Sequence, residues 1–287
     1  SNYNLDLNQV EDYLKNDSKI KCIIPVHFGG RPVDMLELNA ISDKYGVTII
    51  EDAAHALEAV SNVGKVGNTN NAACFSFYAN KNITTFGEGG AISTNDPIYA
   101  EKIKKLSLHG MSKDGWKRFA RGGKWYYDIS ELGYKYNLTD IAAAFGLWQL
   151  KHVDIWLEKR LKIVKSYIDK LENIGGLSLS SLSLSQDVKQ SNHLFVVRIN
   201  RKKWKIDRNQ IIDELNKSGI GTSVHYIPIH MHSYYKSKYG YAPKDYPIAK
   251  DFYERVITLP LYPMLSDKEI NYIVDQIINL WNKYKRD

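Results

Sequence analysis

The segment Ile20–Tyr78 constrains the fold more than any other part of the chain. It holds three apolar, β-branched or aromatic runs: IKCIIPVHF over Ile20–Phe28, VTII over Val47–Ile50 and AACFSFY over Ala72–Tyr78. Short apolar runs bounded by glycine or acidic residues read as buried strands. Between the first two lies Val33–Tyr45, with Leu36, Ala40 and Ile41 at helical spacing and Gly46 where a helix stop belongs. A strand, a helix and a strand in that order imply parallel strands with a right-handed crossover. The expected fold class is α/β, with a mostly parallel sheet in a large domain. Gly90–Thr94 (GAIST) reads as one further short strand.

Beyond residue 110 the pattern changes. Residues 111–136 are rich in glycine and aromatics without a clear period, which suggests a long functional loop. A helical pattern then runs from Thr139, a plausible N-cap, to about Asn173, with Gly146 as its only glycine. Gly175-Gly176 and the serine-rich LSLSSLSLS mark a join. The expected division is a large domain over 1–174 and a smaller α+β domain over 175–287. The smaller one should hold a strand at His193–Asn200, a helix at Arg208–Lys217, a strand at Thr222–Ile227 and two later helices.

Composition narrows the function classes. With 287 residues, 44% hydrophobic and 25% charged, the chain matches globular usage and excludes a collagen-like fibre, a coiled coil or a disordered tail. It holds no apolar run near the ~18 residues of a membrane span. The opening SNYNLDLNQVEDYL lacks the basic-then-apolar pattern of a secretory signal, so a cytoplasmic location is expected. Cys22 and Cys74 each sit in a strand-like run and read as free thiols, without the close spacing that metal sites favour. Residues 1–100 carry 7 Lys/Arg against 12 Asp/Glu, and the remaining 187 carry 32 against 20. The basic residues are scattered, with no nucleic-acid-binding signature. A solvated basic face is the plain reading of that excess, and a polyanionic small substrate the sharper one.

Three features near the ends of the expected strands belong together. VTII delivers Glu51-Asp52 at its carboxyl end, where open α/β sheets place ligand-binding groups. AACFSFY carries Ser76 and leads into a loop with Lys81, and Gly87-Glu88-Gly89-Gly90 follows. An amine, a carboxylate and a hydroxyl at neighbouring strand ends are what pyridoxal phosphate chemistry needs. The lysine forms a Schiff base with the cofactor aldehyde and then acts as a base. The carboxylate keeps the ring nitrogen protonated, and hydroxyls and glycine amides hold the phosphate. His55 could lie on or beside the ring. Each residue alone has an ordinary reading: a helix cap, a surface charge, a turn, a packed histidine.

The segments EDAAHALEA, GKVGNTNNAACFSFYANKNITTFGEGGAISTND, LSLHGM, GYKYNLTDIAAAFGLWQLK, TSVHYIPIHMHSYY and ITLPLYPMLSDKEI resemble, in order, the DegT/DnrJ-type sugar aminotransferases. These are fold-type I enzymes dependent on pyridoxal 5'-phosphate, which aminate keto-deoxysugars carried on nucleoside diphosphates. By this resemblance Lys81 is the Schiff-base lysine, Asp52 the partner of the pyridine nitrogen, His55 the residue beside the ring and Ser76 a phosphate ligand. It further implies a homodimer in which an asparagine of the GYxY segment reaches the neighbour's phosphate. Lys135 stands at that position here, with Asn137 two residues on. His225 and His230 resemble substrate-pocket residues, and glutamate is the implied amino donor. The family's upstream strands and phosphate cup have no counterpart in these residues, so an N-terminally truncated member is expected. Related sugar dehydratases carry histidine where Lys81 stands. The alternative from another class is a non-catalytic homologue that keeps the fold and binds a partner or nucleotide sugar.

Overall fold

The computed structural model describes residues 3–112, 126–179 and 187–286. The chain divides into two compact units, Tyr3–Val153 with Ser185–Ser191, and Asp154–Leu184 with Asn192–Asp287.

The first unit begins with helix α1 (Leu7–Asn16), capped by the Asp6 carboxylate on the Asn8 and Gln9 amides. Strand β1 (Cys22–Ile23) leads through a 3-10 turn at Phe28–Gly30 into α2 (Met35–Tyr45). Asp34 caps α2 through the Glu37 amide, and Gly46 ends it at φ 63°, a left-handed conformation that glycine adopts without strain. Strand β2 (Thr48–Asp52), a hairpin of β3 (Val60–Ser61) and β4 (Gly64–Lys65), and strands β5 (Ala72–Ser76) and β6 (Gly90–Ser93) follow. Helices α3 (Pro97–Ser107) and α4 (Asp140–Leu150) follow among the described residues. The main sheet has the order β1-β2-β5-β6. Its first two pairs are parallel and β5–β6 is antiparallel, so the sheet is mixed and mostly parallel.

One local expectation needs correction, and the buried face of α2 can be assigned. The strand expected over Ile20–Phe28 is regular only at Cys22–Ile23, with a single further bridge from Val26 to Asp52. Pro25 lies between them and has no N–H for the ladder. On α2, Leu36 is 64% exposed, and the face that enters the core is Met35, Leu38 and Ile41. Those three pack with Leu7, Leu14, Ile23, Val33, Val47 and Ile49 in one cluster. Full burial of such a side chain contributes about 1.5–3 kcal/mol.

The single helix expected from Thr139 to Asn173 is two, α4 and α5 (Val153–Leu171). The break has an identifiable cause. His152 Nδ1 bonds the Trp148 carbonyl at 2.8 Å, the acceptor that the His152 amide would use in a continuing helix. That amide bonds the Gln149 carbonyl instead, at 2.8 Å, and the turn tightens.

In the second unit, α5 packs against an antiparallel sheet of order β7-β8-β9, formed by Leu177–Leu179, Phe195–Ile199 and Val256–Leu259. Helices α6 (Arg208–Lys217), α7 (Ser233–Tyr239), α8 (Pro247–Arg255) and α9 (Asp267–Tyr284) also belong to it among the described residues. Ile163, Val164, Tyr167 and Leu171 of α5 share one core cluster with Phe195, Trp204, Leu215, Ile257 and Ile273. The contacts therefore group α5 with the second unit, whereas the sequence expectation placed the join at 174/175. The strand expected at Thr222–Ile227 reduces to one bridge between Ser223 and Thr258. Part of the loop expected over 111–136 and part of the serine-rich segment lie outside the described residues.

Candidate functional site

Strands β2 and β5 pair in parallel with Asp52 opposite Cys74. Side chains alternate along a strand, so Asp52, Cys74 and Ser76 share one face at the carboxyl ends, while Glu51 and Ala73 face the other way. Glu51 and Ala73 are fully buried, and Asp52, Cys74 and Ser76 are half-buried. Asp52 is held by its backbone: its amide bonds the Pro25 carbonyl at 2.9 Å, and its carbonyl accepts from the His27 amide at 3.2 Å. Its side chain accepts from the Ala54 amide at 3.1 Å and turns the chain out of the strand. Ser76 ends β5, and its hydroxyl accepts from the Tyr78 amide at 3.3 Å.

Lys81 lies in the loop from β5 to β6, its amide bonded to the Tyr78 carbonyl at 3.0 Å. Burial pushes its ammonium below the usual lysine range, and the Asp52 carboxylate partly opposes that shift by favouring the charged form. Burial also raises the Cys74 thiol, with the Asp52 charge adding to it. Asp52 thus acts electrostatically on both Lys81 and Cys74, and Ser76 lies on the same face of β5 as Cys74, two residues further along the strand.

His55 follows β2 directly and is 6% exposed. Its Nδ1 faces the Gly29 amide, which donates to it at 3.3 Å, and its ring meets Phe28 edge-on at 6.3 Å between centroids. The Ser191 hydroxyl donates to the His55 carbonyl. Gly30, at φ 91°, lies so close that a Cβ there would sit 1.9 Å from Ser191 Oγ and 2.8 Å from the His55 carbonyl oxygen.

Asn137 is exposed and accepts from the Lys135 ammonium. Its segment is tied to the end of α3 by bonds from the Tyr134 amide to Leu106 and from the Tyr136 amide to Ser107, at 2.7 and 2.8 Å. His225 and His230 belong to the second unit. His225 Nδ1 lies 2.8 Å from Thr258 Oγ1 on β9. His230 is 6% exposed and packs on Tyr246 at 4.8 Å between centroids, and its buried Nε2 has no hydrogen-bond partner among the described residues.

Sequence reasoning missed a buried support beneath the site. Glu51 accepts from Thr69 Oγ1 at 2.7 Å and pairs with His27 Nε2 at 2.9 Å. Burial alone would raise the Glu51 carboxyl, but the bonds from His27 and Thr69 outweigh it and hold the group below its usual range. The signal was available: once Asp52 faces the ligand side, strand alternation puts Glu51 in the interior, where a carboxylate needs partners.

The donor set fits pyridoxal phosphate. It offers an amine whose charged form is disfavoured, a carboxylate for a protonated ring nitrogen, a flat histidine ring and a hydroxyl. Among the described residues no group of three or more His, Cys, Asp or Glu forms a metal cluster.

Comparison with known proteins supports the same chemistry. MJ1066 of Methanocaldococcus jannaschii is 44% identical over 275 residues, covering 96% of this chain and 70% of that protein. The spore coat polysaccharide biosynthesis protein SpsC of Bacillus subtilis is 40% identical over 260 residues, 90% of this chain and 66% of SpsC. This chain therefore spans about two thirds of the length of these relatives. Spr1654 of Streptococcus pneumoniae, solved in its pyridoxamine phosphate form, superposes with a TM-score of 0.88 at 32% identity, over 98% of this chain and 73% of Spr1654. Its structure is also known in the pyridoxal phosphate form. The sequence pattern of the DegT/DnrJ/EryC1/StrS aminotransferases matches residues 1–278, and the chain belongs to that family of pyridoxal phosphate-dependent enzymes.

Proposed function

We propose that the protein transfers an amino group to a nucleotide-linked keto-deoxysugar, with glutamate as donor. The observation that carries this reading is Lys81, an amine whose charge is disfavoured by burial, under the influence of Asp52 at the end of β2. When bound, pyridoxal phosphate supplies an aldehyde for an amine and a ring that withdraws electrons from the reacting carbon. Lys81 is the amine that holds the cofactor, and its Nζ carries the proton between the two carbon centres. A depressed proton affinity keeps more of that amine neutral near pH 7, as a nucleophile and base require.

Asp52 keeps the ring nitrogen protonated, with its carboxylate pre-aimed by the Ala54 amide. His55 lies beside the ring, and Ser76 donates to the phosphate. The excess of basic residues beyond residue 100 suits a substrate with a pyrophosphate, and His225 and His230 are assigned to its recognition. We further assign a homodimer, with Asn137 reaching the cofactor phosphate of the neighbouring subunit. Leu132 is 93% exposed and Ile141 75%, with Tyr134, Tyr136, Leu147 and Trp148 also exposed, an apolar set suited to a subunit contact. Among the described residues no helix is long and apolar enough to cross a membrane, and we place the enzyme in the cytoplasm. SpsC, by its name, serves polysaccharide synthesis, and an amino sugar for a surface glycan is the product class proposed here.

The test is borohydride reduction of the protein with pyridoxal phosphate, followed by peptide mapping. Reduced cofactor on Lys81, and loss of both label and amino transfer in Lys81→Ala, are expected. Label spread over surface lysines, or turnover retained in Lys81→Ala, overturns the assignment. A protein that carries label on Lys81 yet aminates no nucleotide keto sugar with glutamate overturns the substrate assignment alone.

A further inference from the structure

We infer that Gln149 is a positioning residue for Lys81, acting through Thr84. The inference rests on the reading of Lys81 as the amine that holds the cofactor. Lys81 sits in the excursion between β5 and β6, whose two limbs are laced together. The Phe77 amide bonds the Gly89 carbonyl at 2.8 Å, and the Ala79 amide the Gly87 carbonyl at 3.1 Å. Thr84 closes the inside of this loop: its hydroxyl donates to the Phe77 carbonyl at 3.0 Å and accepts from the Gly87 amide at 3.2 Å.

Helix α4 grips the same residue from outside. Gln149 Oε1 accepts from the Thr84 amide at 3.2 Å, and its Nε2 donates to the Thr84 carbonyl. One side-chain amide thus satisfies both backbone groups of one loop residue, 65 positions away in the chain. Gln149 is 6% exposed and Thr84 half-buried, so losing the glutamine amide would leave partly buried backbone groups in need of new partners. A glutamate there would only accept and a lysine only donate; of side chains long enough to reach, glutamine alone offers both in one plane.

The contact extends along one face of α4. Phe145 stacks on Phe86 at 4.4 Å between centroids, and at Gly146 a Cβ would lie 2.9 Å from Thr85 Cγ2. Phe145, Gly146 and Gln149 therefore meet Phe86, Thr85 and Thr84 in reverse order, a matched register between a helix face and three consecutive loop residues. Gly146, unexplained by helix propensity, is what lets the helix approach. The loop that carries Lys81 is splinted by α4, and the amide pair at Gln149 fixes where along the helix it docks. A shift of about 1 Å at a reacting group can cost roughly 100-fold in rate.

The test is amide hydrogen exchange without cofactor, together with the rate of Lys81 labelling by pyridoxal phosphate and borohydride, in the wild type and Gln149→Met. Methionine keeps the length and packing and removes both bonds. The Thr84 amide should exchange slowly in the wild type, and fast exchange there overturns the clamp without any variant. In Gln149→Met the protection of Thr84 should fall roughly 10- to 100-fold, with β2 and β5 amides unchanged. Labelling of Lys81 should slow by about 10-fold or more. Unchanged Thr84 protection, or lost protection with unchanged labelling, overturns the positioning role. Wild-type label on another lysine, or on none, overturns instead the reading of Lys81 on which the role depends.

Discussion

His27 Nε2 and Glu51 Oε2 lie 2.9 Å apart with both side chains wholly out of solvent. The Val33 amide donates to His27 Nδ1 at 3.1 Å, so that nitrogen carries no proton and Nε2–H is the donor to Glu51. The pair is a neutral imidazole on a carboxylate, one residue from Asp52 and on the opposite face of β2. Because the Glu51 carboxyl titrates below its usual range in the folded state, its stabilising contribution is complete above the unfolded value of about 4.5. It is lost as pH falls through the lower, folded value. Urea unfolding from pH 7 to pH 3 should show this loss in the wild type and a flatter profile in Glu51→Gln, which should cost about 1.5–3 kcal/mol at pH 7. Parallel pH profiles for the two proteins would remove Glu51 from this role.

Lys81 and Asp52 are coupled in a direction that can be measured without turnover. The Asp52 charge raises the Lys81 proton affinity against the larger lowering by burial. Removing that charge should lower the Lys81 value further. Reductive methylation of the protein without cofactor, followed by peptide mapping across pH, reports the neutral fraction of each lysine. The Lys81 midpoint should lie below those of surface lysines, and lower still in Asp52→Asn. A midpoint that rises in the variant contradicts the geometry. In the loaded enzyme, Asp52→Asn should keep some cofactor and lose most of the rate.

Gly30 is fixed by its surroundings as well as by φ. An alanine there would meet Ser191 Oγ at 1.9 Å and the His55 carbonyl at 2.8 Å. Gly30→Ala should destabilise the first unit by about 2 kcal/mol or more, since overpacking adds to backbone strain. Ser191→Gly in the same chain should recover only part of that, because the His55 carbonyl remains. Thermal unfolding of the single and double variants decides; full recovery would mean that the serine hydroxyl was the whole obstacle.

How much of this was legible follows from the range of each interaction. The β1-α2-β2 order and the placing of Asp52, Ser76 and Lys81 at strand ends rest on local periodicity and on a parallel crossover, both visible in the chain. The helical spacing in α2 did not say which face is buried, because Leu36 is as apolar as Leu38, and only packing against β1 and β2 decides which enters the core. The α4–α5 break was hidden because it depends on where the His152 ring points. The pairing of Glu51 with Thr69 and His27, and of Gln149 with Thr84, joins residues 18 to 65 positions apart. No local pattern encodes such partners. Asn137, His225 and His230 were named through the family resemblance, since an exposed asparagine and two histidines carry no period of their own.

Thr258 offers a way to separate fold from substrate handling in the second unit. It lies in β9, 6% exposed, and exchanges backbone bonds with Ser223 at 2.8 and 3.1 Å, which a valine would preserve. Its hydroxyl lies 2.8 Å from His225 Nδ1 and holds that ring in one orientation. Thr258→Val keeps the shape and the β-branch, so the thermal midpoint should move little, within about 1.5 kcal/mol of stability. If His225 contacts the sugar nucleotide, KM for that substrate should rise several-fold, while the rate of Lys81 labelling by pyridoxal phosphate stays at the wild-type value. A slower labelling rate would place His225 with the cofactor, and an unchanged KM would remove it from substrate recognition.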